Sequence, residues 1–488
     1  MVVDAPTLPA LLGHNAAHRG DRAAITTWDA SITHAQLDAE SRALAGRLVA
    51  AGVSKSAPVG LLAPNGIEWA VTAMAVLRVG AVLVPLSTLL RAPELEAQLR
   101  VADVTHLIVA RAFKGRALLD EATAVAAEVP SLRRVWELDD MPTATANEVR
   151  VAGLEARVES ADDLTILFTS GSTGPPKGVV HTHGAALRAV AAALGPRCIG
   201  PEDRLYVPMP FFWTGGLSTG LLSALVAGAT LLTEAEPEPA RTLAFLARER
   251  ATLFRGWPHQ AGALAAHPDF AAADLSSLGD GSLPALLDDD RRPPPGARAN
   301  MFGMTETFGP WCGSRLDVDL PPERWGSCGR PFEGVEVRVV EGELQLRGPN
   351  LLRGIRGLER HQVFTVDGWF PTGDRGRVDA EGYVWFEGRL DDMFKVKGAT
   401  VYPSEVEAAL RAIDGVRQAH VVEVGGEVGA AVLTEVALGD LRARAHDRLS
   451  SFKIPTRWFT TGDPHQIPMT PTGKVDTRAL RALLEEPT

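Results

Sequence analysis

Three cysteines, Cys198, Cys312 and Cys328, are all that the 488 residues contain. They form no C-x-x-C pair and no ligand spacing with histidine, so neither a structural zinc nor a disulfide framework is expected. A basic surplus is also missing. Lys and Arg number 49 against 60 Asp and Glu, a formal net charge of −11 with both signs mixed along the chain. That balance leaves no electrostatic footprint for nucleic acid, and a polyanionic ligand has to be held by local charges. No apolar run reaches the ~18 residues free of charge or turn formers that a membrane-crossing helix needs. The N-terminal stretch has no basic segment followed by an apolar core, so no secretory leader is expected. A reduced, cytoplasmic setting is the default expectation.

Apolar residues make up 45% of the chain, enough for several cores. A prior of one domain per ~150 residues suggests about three compact units. Helix and strand signals alternate in the first third. Ser31 to Ala51 reads as a helix ending near Gly52, with Leu37, Leu44 and Leu48 on one face. Val59–Leu62 reads as a strand, Trp69 to Val79 as a helix stopped by Gly80, and Ala81 to Val84 as another strand. This repetition predicts a mostly parallel sheet covered by helices. A second such unit extends to about residue 320. From 325 to 388 the pattern becomes short alternating runs, Val335–Val339 and Glu343–Leu346 among them, separated by glycines, as in a small antiparallel β unit. The last 100 or so residues are mixed, a small α/β domain. Asp288 to Pro295 reads as an exposed turn.

The most informative ten residues are Thr169-Ser170-Gly171-Ser172-Thr173-Gly174-Pro175-Pro176-Lys177-Gly178. They follow an apolar run, Leu164 to Phe168, that reads as a buried strand. Glycines let backbone N–H groups approach an anion, hydroxyls donate hydrogen bonds, and the lysine adds charge, so the segment suits the phosphates of a nucleotide. A Walker P-loop, G-x-x-x-x-G-K-[ST], does not fit. Four residues beyond Gly171 the next position is Pro176 instead of Gly, and Lys177 is followed by Gly178 instead of Ser or Thr.

The order of residues in this loop resembles the phosphate loop of the adenylate-forming superfamily: acyl-CoA synthetases, aryl-CoA ligases, adenylation domains of peptide synthetases, and luciferases. Four further segments resemble that family's motifs, in the family's order. They are Met301-Phe302-Gly303-Met304-Thr305-Glu306, Phe370-Pro371-Thr372-Gly373-Asp374, Gly388-Arg389-Leu390-Asp391-Asp392 with Lys395 to Gly398 and Glu405-Val406-Glu407, and Pro471-Thr472-Gly473-Lys474. The resemblance runs from about residue 10 to about residue 485. It implies an α/β architecture. A large N-terminal domain, 1–390, would hold two packed α/β subdomains plus a small β-barrel-like subdomain at about 325–388. A small mobile α+β lid, 391–488, would follow.

The resemblance also implies roles. Attack of a carboxylate on the α-phosphate of ATP brings two anions together and expels a third, so fixed donors, a metal and a mobile cation are needed where charge develops. Thr169, Ser170, Thr173 and Lys177 would hold the departing pyrophosphate, with Gly171, Ser172 and Gly174 completing the loop. Thr305 would contact the α-phosphate, and Glu306 would help hold Mg²⁺, a hard cation that takes oxygen ligands. Phe302, where the family usually has tyrosine, would stack on adenine beside Gly303, losing only the hydroxyl's hydrogen bond. Asp374 would accept both ribose hydroxyls, and Arg389 would approach the ribose and phosphates. Lys474 would bridge the carboxylate and the α-phosphate. Asp391 stands at the family's pivot. Gly398 stands where backbone approaches the pantetheine arm of coenzyme A.

For the acid, Met209 to Leu217 resembles the start of the family's acid-pocket helix, with Trp213 where histidine is commonest and Gly215 and Gly216 after it. Trp257 is expected nearby, and Gly279-Asp280-Gly281 matches a glycine-rich segment between acid and adenine, Asp280 being a departure. Residues 208–222 contain no acid to pair an ammonium group, which disfavours an amino acid and favours an aliphatic or aryl acid. The implied enzyme is an ATP- and Mg²⁺-dependent acyl-CoA ligase. One alternative is a stand-alone adenylating enzyme that loads a phosphopantetheine carrier protein. Another is a non-catalytic nucleotide-binding member of the fold.

Overall fold

The structure, a computed structural model, describes residues 5–146, 148–169, 176–390, 394–396, 399–449, 453–470 and 474–485. Short apolar strands separated by helices build the main sheet. Its strand order is Gly354–Ile355, Lys177–Thr182, Asp163–Thr169, Val82–Leu86, Pro58–Leu62, His106–Val109 and Arg134–Glu137. The strands from Asp163–Thr169 to Arg134–Glu137 pair in parallel, because a helix returns the chain between one and the next. Pro58–Leu62 and Val82–Leu86 are buried along their whole length, as their unbroken apolar runs require. Lys177–Thr182 and Gly354–Ile355 then add antiparallel at one edge.

A second sheet has the order Leu253–Phe254, Arg204–Tyr206, Thr230–Leu232, Ala23–Thr26 and Ser31–Thr33. It is parallel except for its last pair. That pair corrects one expectation. Ser31–Thr33 is a strand, since it pairs with Ala23–Thr26, and the helix begins only at His34 and runs to Ala50. Thr33 makes the switch. Its hydroxyl accepts from the Gln36 N–H at 3.2 Å, and its own N–H donates to Gln36 Oε1 at 2.8 Å, a reciprocal cap of the first turn. Leu37, Leu44 and Leu48 face the core as expected.

The helix Ile67–Arg78 is buried from Trp69 onward, and Gly80, with φ +72°, takes the left-handed turn that ends it. Arg78 at its end is fully buried and donates to Asp38 at 2.6 Å and Glu155 at 2.7 Å, tying three helices together. One apolar cluster, from Leu8 to Phe308, takes in strands of both sheets. Asp289–Arg291 is a short 3₁₀ turn in an exposed stretch.

The alternating runs after residue 325 form the strands Glu336–Val340, Glu343–Arg347, Phe370–Val378 and Val384–Arg389, adjacent in that order in one sheet. The chain divides into two compact units. One comprises 1–337, 346–370 and 380–384, and the other 338–345, 371–379 and 385–488. The second unit also holds a three-stranded sheet of Val416–Val424, Glu427–Thr434 and Arg457–Thr461. Its core gathers Val401, Val406, Leu410, Val432 and Trp458. No helix among the described residues is long and apolar enough to cross a membrane.

Candidate active site

In the first unit, Thr169 ends one strand and Lys177 opens the next, and the two are register partners. The loop between them therefore closes a hairpin, unlike a Walker loop, which leads from strand into helix. Ser170, Gly171, Ser172, Thr173 and Gly174 lie outside the described residues. Lys177 is exposed. Strand alternation places Lys177, Val179 and His181 on one face.

His181 reaches the next motif. Fully buried, it places Nε2 2.7 Å from the backbone oxygen of Thr305. Burial pushes its pKa down to about 4, the bond to the Thr305 carbonyl opposing only in part. The ring is therefore neutral, and Nε2–H is the donor. Thr305 opens a 3₁₀ turn, Thr305–Thr307, that Phe308 ends in the left-handed region at φ 55°. The same Thr305 oxygen accepts from the Phe308 N–H at 3.0 Å. The Thr305 hydroxyl receives a hydrogen bond from the Thr214 hydroxyl at 3.2 Å. The Glu306 carbonyl accepts from the Leu352 N–H at 2.8 Å. The turn carrying Thr305 and Glu306 is thus held by contacts from three separate segments.

Phe302 and Gly303 lie on the strand Phe302–Met304, paired with Gly309–Gly313. A Cβ at position 303 would lie 2.4 Å from the Gly309 oxygen, so only glycine lets the two backbones approach. The Phe302 ring meets Trp311 edge to face, centroids 5.8 Å apart.

Trp213 precedes a helical run that begins at Thr214–Gly216, widens to a π-turn over Leu217–Leu222 and ends at Ser223–Ala227. Local π geometry of this kind recurs at functional sites. Ser218, inside the π-turn, donates its hydroxyl to the Phe308 carbonyl, so this helix also braces the Thr-Glu turn. A Cβ at Gly216 would lie 2.0 Å from the Pro210 oxygen, while one at Gly215 would meet the Met209 sulfur at 2.7 Å. Trp213 is partly buried, its ring perpendicular to Phe212 at 5.4 Å. Trp257 caps the helix Pro258–Ala265 and is 45% exposed, so it is no core aromatic. Gly281 is buried, its carbonyl accepting from the Arg255 guanidinium. Asp280 has a surface explanation: it pairs with Arg291 at 2.7 Å.

In the second unit, the Asp374 carboxylate is almost fully buried. Arg389 donates to its Oδ1 at 3.0 Å and to the Thr372 carbonyl at 2.9 Å. Gly373, at φ +72°, lets the chain turn beneath the Arg389 guanidinium, which a Cβ would meet at 2.8 Å. Lys474 is exposed, and its backbone is paired with Thr470. Asp391 and Gly398 lie outside the described residues.

Among the described residues no group of three or more His, Cys, Asp or Glu side chains gathers as a metal cage. A Mg²⁺ bound through one carboxylate and substrate phosphates needs no such cage, and the single carboxylate of Glu306 fits that mode. His181, Thr214 and Ser218 were not anticipated from the sequence. Thr214 lies within the Met209–Leu217 segment, but nothing in the sequence pointed to its contact with Thr305.

The sequence profile of the AMP-binding enzyme family matches residues 12–355, and the chain belongs to that family. Relatives of similar length include CoA ligases. A 3-[(3aS,4S,7aS)-7a-methyl-1,5-dioxo-octahydro-1H-inden-4-yl]propanoyl:CoA ligase of Mycobacterium tuberculosis is 32% identical, with 99% of this chain and 100% of the relative covered. A feruloyl-CoA synthase of Amycolatopsis sp. is 31% identical, covering 91% and 92%. The solved structure of the anthranilate CoA ligase AuaEII in complex with anthranoyl-AMP superposes with a TM-score of 0.80 at 24% identity, over 98% of this chain and 97% of that one, a likeness of fold. Within the family the protein is an AMP-forming acid–thiol ligase of the acyl-CoA synthetase type.

Proposed function

We propose that the protein activates an aliphatic or aryl carboxylic acid as its acyl-adenylate, with Mg²⁺ and release of pyrophosphate, and then forms the coenzyme A thioester. The observation that carries this is the clamped Thr-Glu turn. The Thr305 hydroxyl and the backbone of Thr305 and Glu306 are held in place, and the bond to Thr305 comes from His181, on the same strand face as the lysine that opens the loop hairpin. Preorganised groups of this kind stabilise developing charge without reorganising during the reaction.

In the proposed division of roles, Thr169, Ser170, Thr173 and Lys177 hold the departing pyrophosphate, Gly171, Ser172 and Gly174 shape the loop, and Thr305 donates to the α-phosphate. Glu306 is the protein ligand of Mg²⁺, which neutralises charge on the phosphates. Phe302 and Gly303 form the adenine platform. Asp374 takes the ribose hydroxyls, and Arg389, already on Oδ1, orients that carboxylate. Lys474 supplies the cation for adenylation. The 391–488 lid alternates between the half-reactions about Asp391, with Gly398 admitting the pantetheine arm. Trp213, Gly215, Gly216 and Gly281 line the acid pocket, and Trp257 lies at its outer rim. The dioxo-indenyl propanoyl and feruloyl substrates named for the relatives agree with an apolar pocket that takes rings. A phosphopantetheine carrier protein is the alternative acceptor, since it presents the same thiol arm.

The test is a panel of fatty and aryl acids scored for pyrophosphate release, with free coenzyme A against carrier proteins as acceptor. Thioester formation with free coenzyme A supports the proposal. Turnover with carriers alone moves the acceptor to the alternative.

A further inference from the structure

The buried histidine behind the loop hairpin has no part in the family motifs, yet it touches the turn on which the chemistry is proposed to depend. His181 sits on the strand Lys177–Thr182, on the same face as Lys177. Its Nε2 lies 2.7 Å from the Thr305 oxygen, and its ring lies 4.9 Å from that of Phe308. It therefore holds both ends of the 3₁₀ turn: the first residue by a hydrogen bond, the left-handed terminal residue by ring contact. Nδ1 is buried and finds no hydrogen-bond partner among the described residues, where the one polar contact of the imidazole is with Thr305. An apolar residue would fill the space at lower desolvation cost, because a buried donor or acceptor left unmade costs about 1–3 kcal/mol.

We infer that His181 is a positioning residue for adenylation, which sets the Thr305–Glu306 peptide against the strand bearing Lys177, an inference that rests on the roles proposed above for Thr305 and Glu306. Thr305 contacts one side of the α-phosphate reaction and Lys177 the departing side. Two links tie the turn to that strand: the His181 side chain, and the Leu352–Arg353 segment, whose N–H groups donate to the Glu306 and Val180 carbonyls, each at 2.8 Å. Without the His181 bond the turn keeps its Thr214 and Leu352 contacts, but Thr305 itself loses its direct bond to the strand. The consequence is a loss in the rate of adenylation and in the response to Mg²⁺, with the acid pocket and the thiol step untouched.

The experiment uses the full chain and two substitutions. His181→Phe keeps a ring against Phe308 and removes the donor. His181→Gln keeps a donor at nearly the Nε2 position. Circular dichroism and thermal melts show that both are folded at the assay temperature. Acid-dependent ATP–pyrophosphate exchange is then measured over a Mg²⁺ series, and thioester formation is measured from pre-made acyl-adenylate.

The expected result for His181→Phe is a fall in exchange kcat of about 10- to 100-fold, the scale of a small misplacement of reacting groups. A higher Mg²⁺ requirement, an unchanged KM for the acid and an intact thioester step should accompany it. His181→Gln should recover most of the rate. A folded His181→Phe with wild-type kcat and Mg²⁺ response overturns the inference. So does equal loss in both half-reactions, or a His181→Gln as impaired as His181→Phe.

Glu306→Gln run alongside separates the two levels. If it exchanges at the wild-type rate, the reading of the turn fails. If it is impaired while His181→Phe is not, only the positioning role fails. Should His181→Phe not fold, the wild-type protein still decides the point through its ¹⁵N-histidine spectrum, assigned with His181→Gln. A neutral ring protonated at Nε2 is expected, and a ring protonated at Nδ1 overturns the hydrogen bond.

Discussion

Thr470 and Lys474 are bound to each other by three hydrogen bonds. The Thr470 N–H donates to the Lys474 carbonyl at 2.6 Å, the Thr470 hydroxyl donates to the same oxygen at 3.0 Å, and the Lys474 N–H donates to that hydroxyl at 3.2 Å. The flanking Met469 and Val475 form an antiparallel bridge. The lysine backbone is therefore fixed while its side chain stays in solvent, an arrangement suited to a cation delivered to a reaction and withdrawn afterwards.

Lys474→Ala is expected to lower adenylation by roughly 10²-fold or more, the scale for losing one donor aimed at developing charge. Thioester formation from pre-made acyl-adenylate should survive. Thr470→Val removes the hydroxyl bonds and leaves the charge, so it should cost less than Lys474→Ala in the same half-reaction only. Pyrophosphate exchange and single-turnover thioester assays measure both. Equal losses in both steps would show that the Thr470–Lys474 pair is only structural.

Glu306→Gln keeps size and removes charge. Mg²⁺ should bind more weakly, and raised Mg²⁺ should partly restore the exchange rate, because in the proposed site a single carboxylate would share the ion with substrate phosphates. A Mg²⁺ titration of the variant decides this. Unchanged activity at low Mg²⁺ would place Glu306 away from the metal.

Trp213 and Trp257 should now behave differently. Trp213 is partly buried against Phe212. Trp213→Ala should open apolar volume and shift preference toward longer or bulkier acids, in steps of about 1–3 kcal/mol or less per methylene, with little change in the KM for ATP. Trp257 is 45% exposed, so Trp257→Ala should change acid preference much less. kcat/KM along a chain-length series tests the pair. A larger shift at Trp257 would mean that the pocket wall is misassigned.

Three buried histidines set an acid limit on stability. Burial lowers His34, His181 and His183 from 6.5 to about 4. Between those values the unfolded chain binds more protons than the folded one, so stability falls as pH falls. Their contribution is complete above about pH 6.5 and is lost as pH drops toward about 4. Each histidine contributes roughly 1.4 kcal/mol per pH unit in that window. Urea midpoints measured across the window should decline steadily, and His181→Gln should flatten the slope by about one proton. A level stability down to the lower end would show that these groups are not buried as neutral imidazoles.

Much of this fold was legible because apolar periodicity and glycine breaks carry it. Leu37, Leu44 and Leu48, the strand at Val59–Leu62 and the stop at Gly80 all lie where the pattern put them. Ser31–Thr33 was misread because strand pairing with Ala23–Thr26 overrode a local pattern that continues into the helix, and such pairing leaves no local mark. The motif segments are legible by their order in the sequence. The groups that hold them were not. His181 meets Thr305 across 124 positions and Thr214 meets it across 91, and no spacing rule connects residues brought together only by folding. Asp280 looked anomalous in its glycine-rich segment until Arg291, 11 residues on, proved to be its partner.

The most direct test of the central claim is isotope exchange between pyrophosphate and ATP in the presence of the acid panel, followed by addition of coenzyme A. Exchange should require both an acid and Mg²⁺, should proceed without coenzyme A, and should give way on its addition to AMP and an acyl-CoA thioester in equal amounts. Exchange with no acid of the panel, or ATP turnover that yields ADP and phosphate, would contradict it.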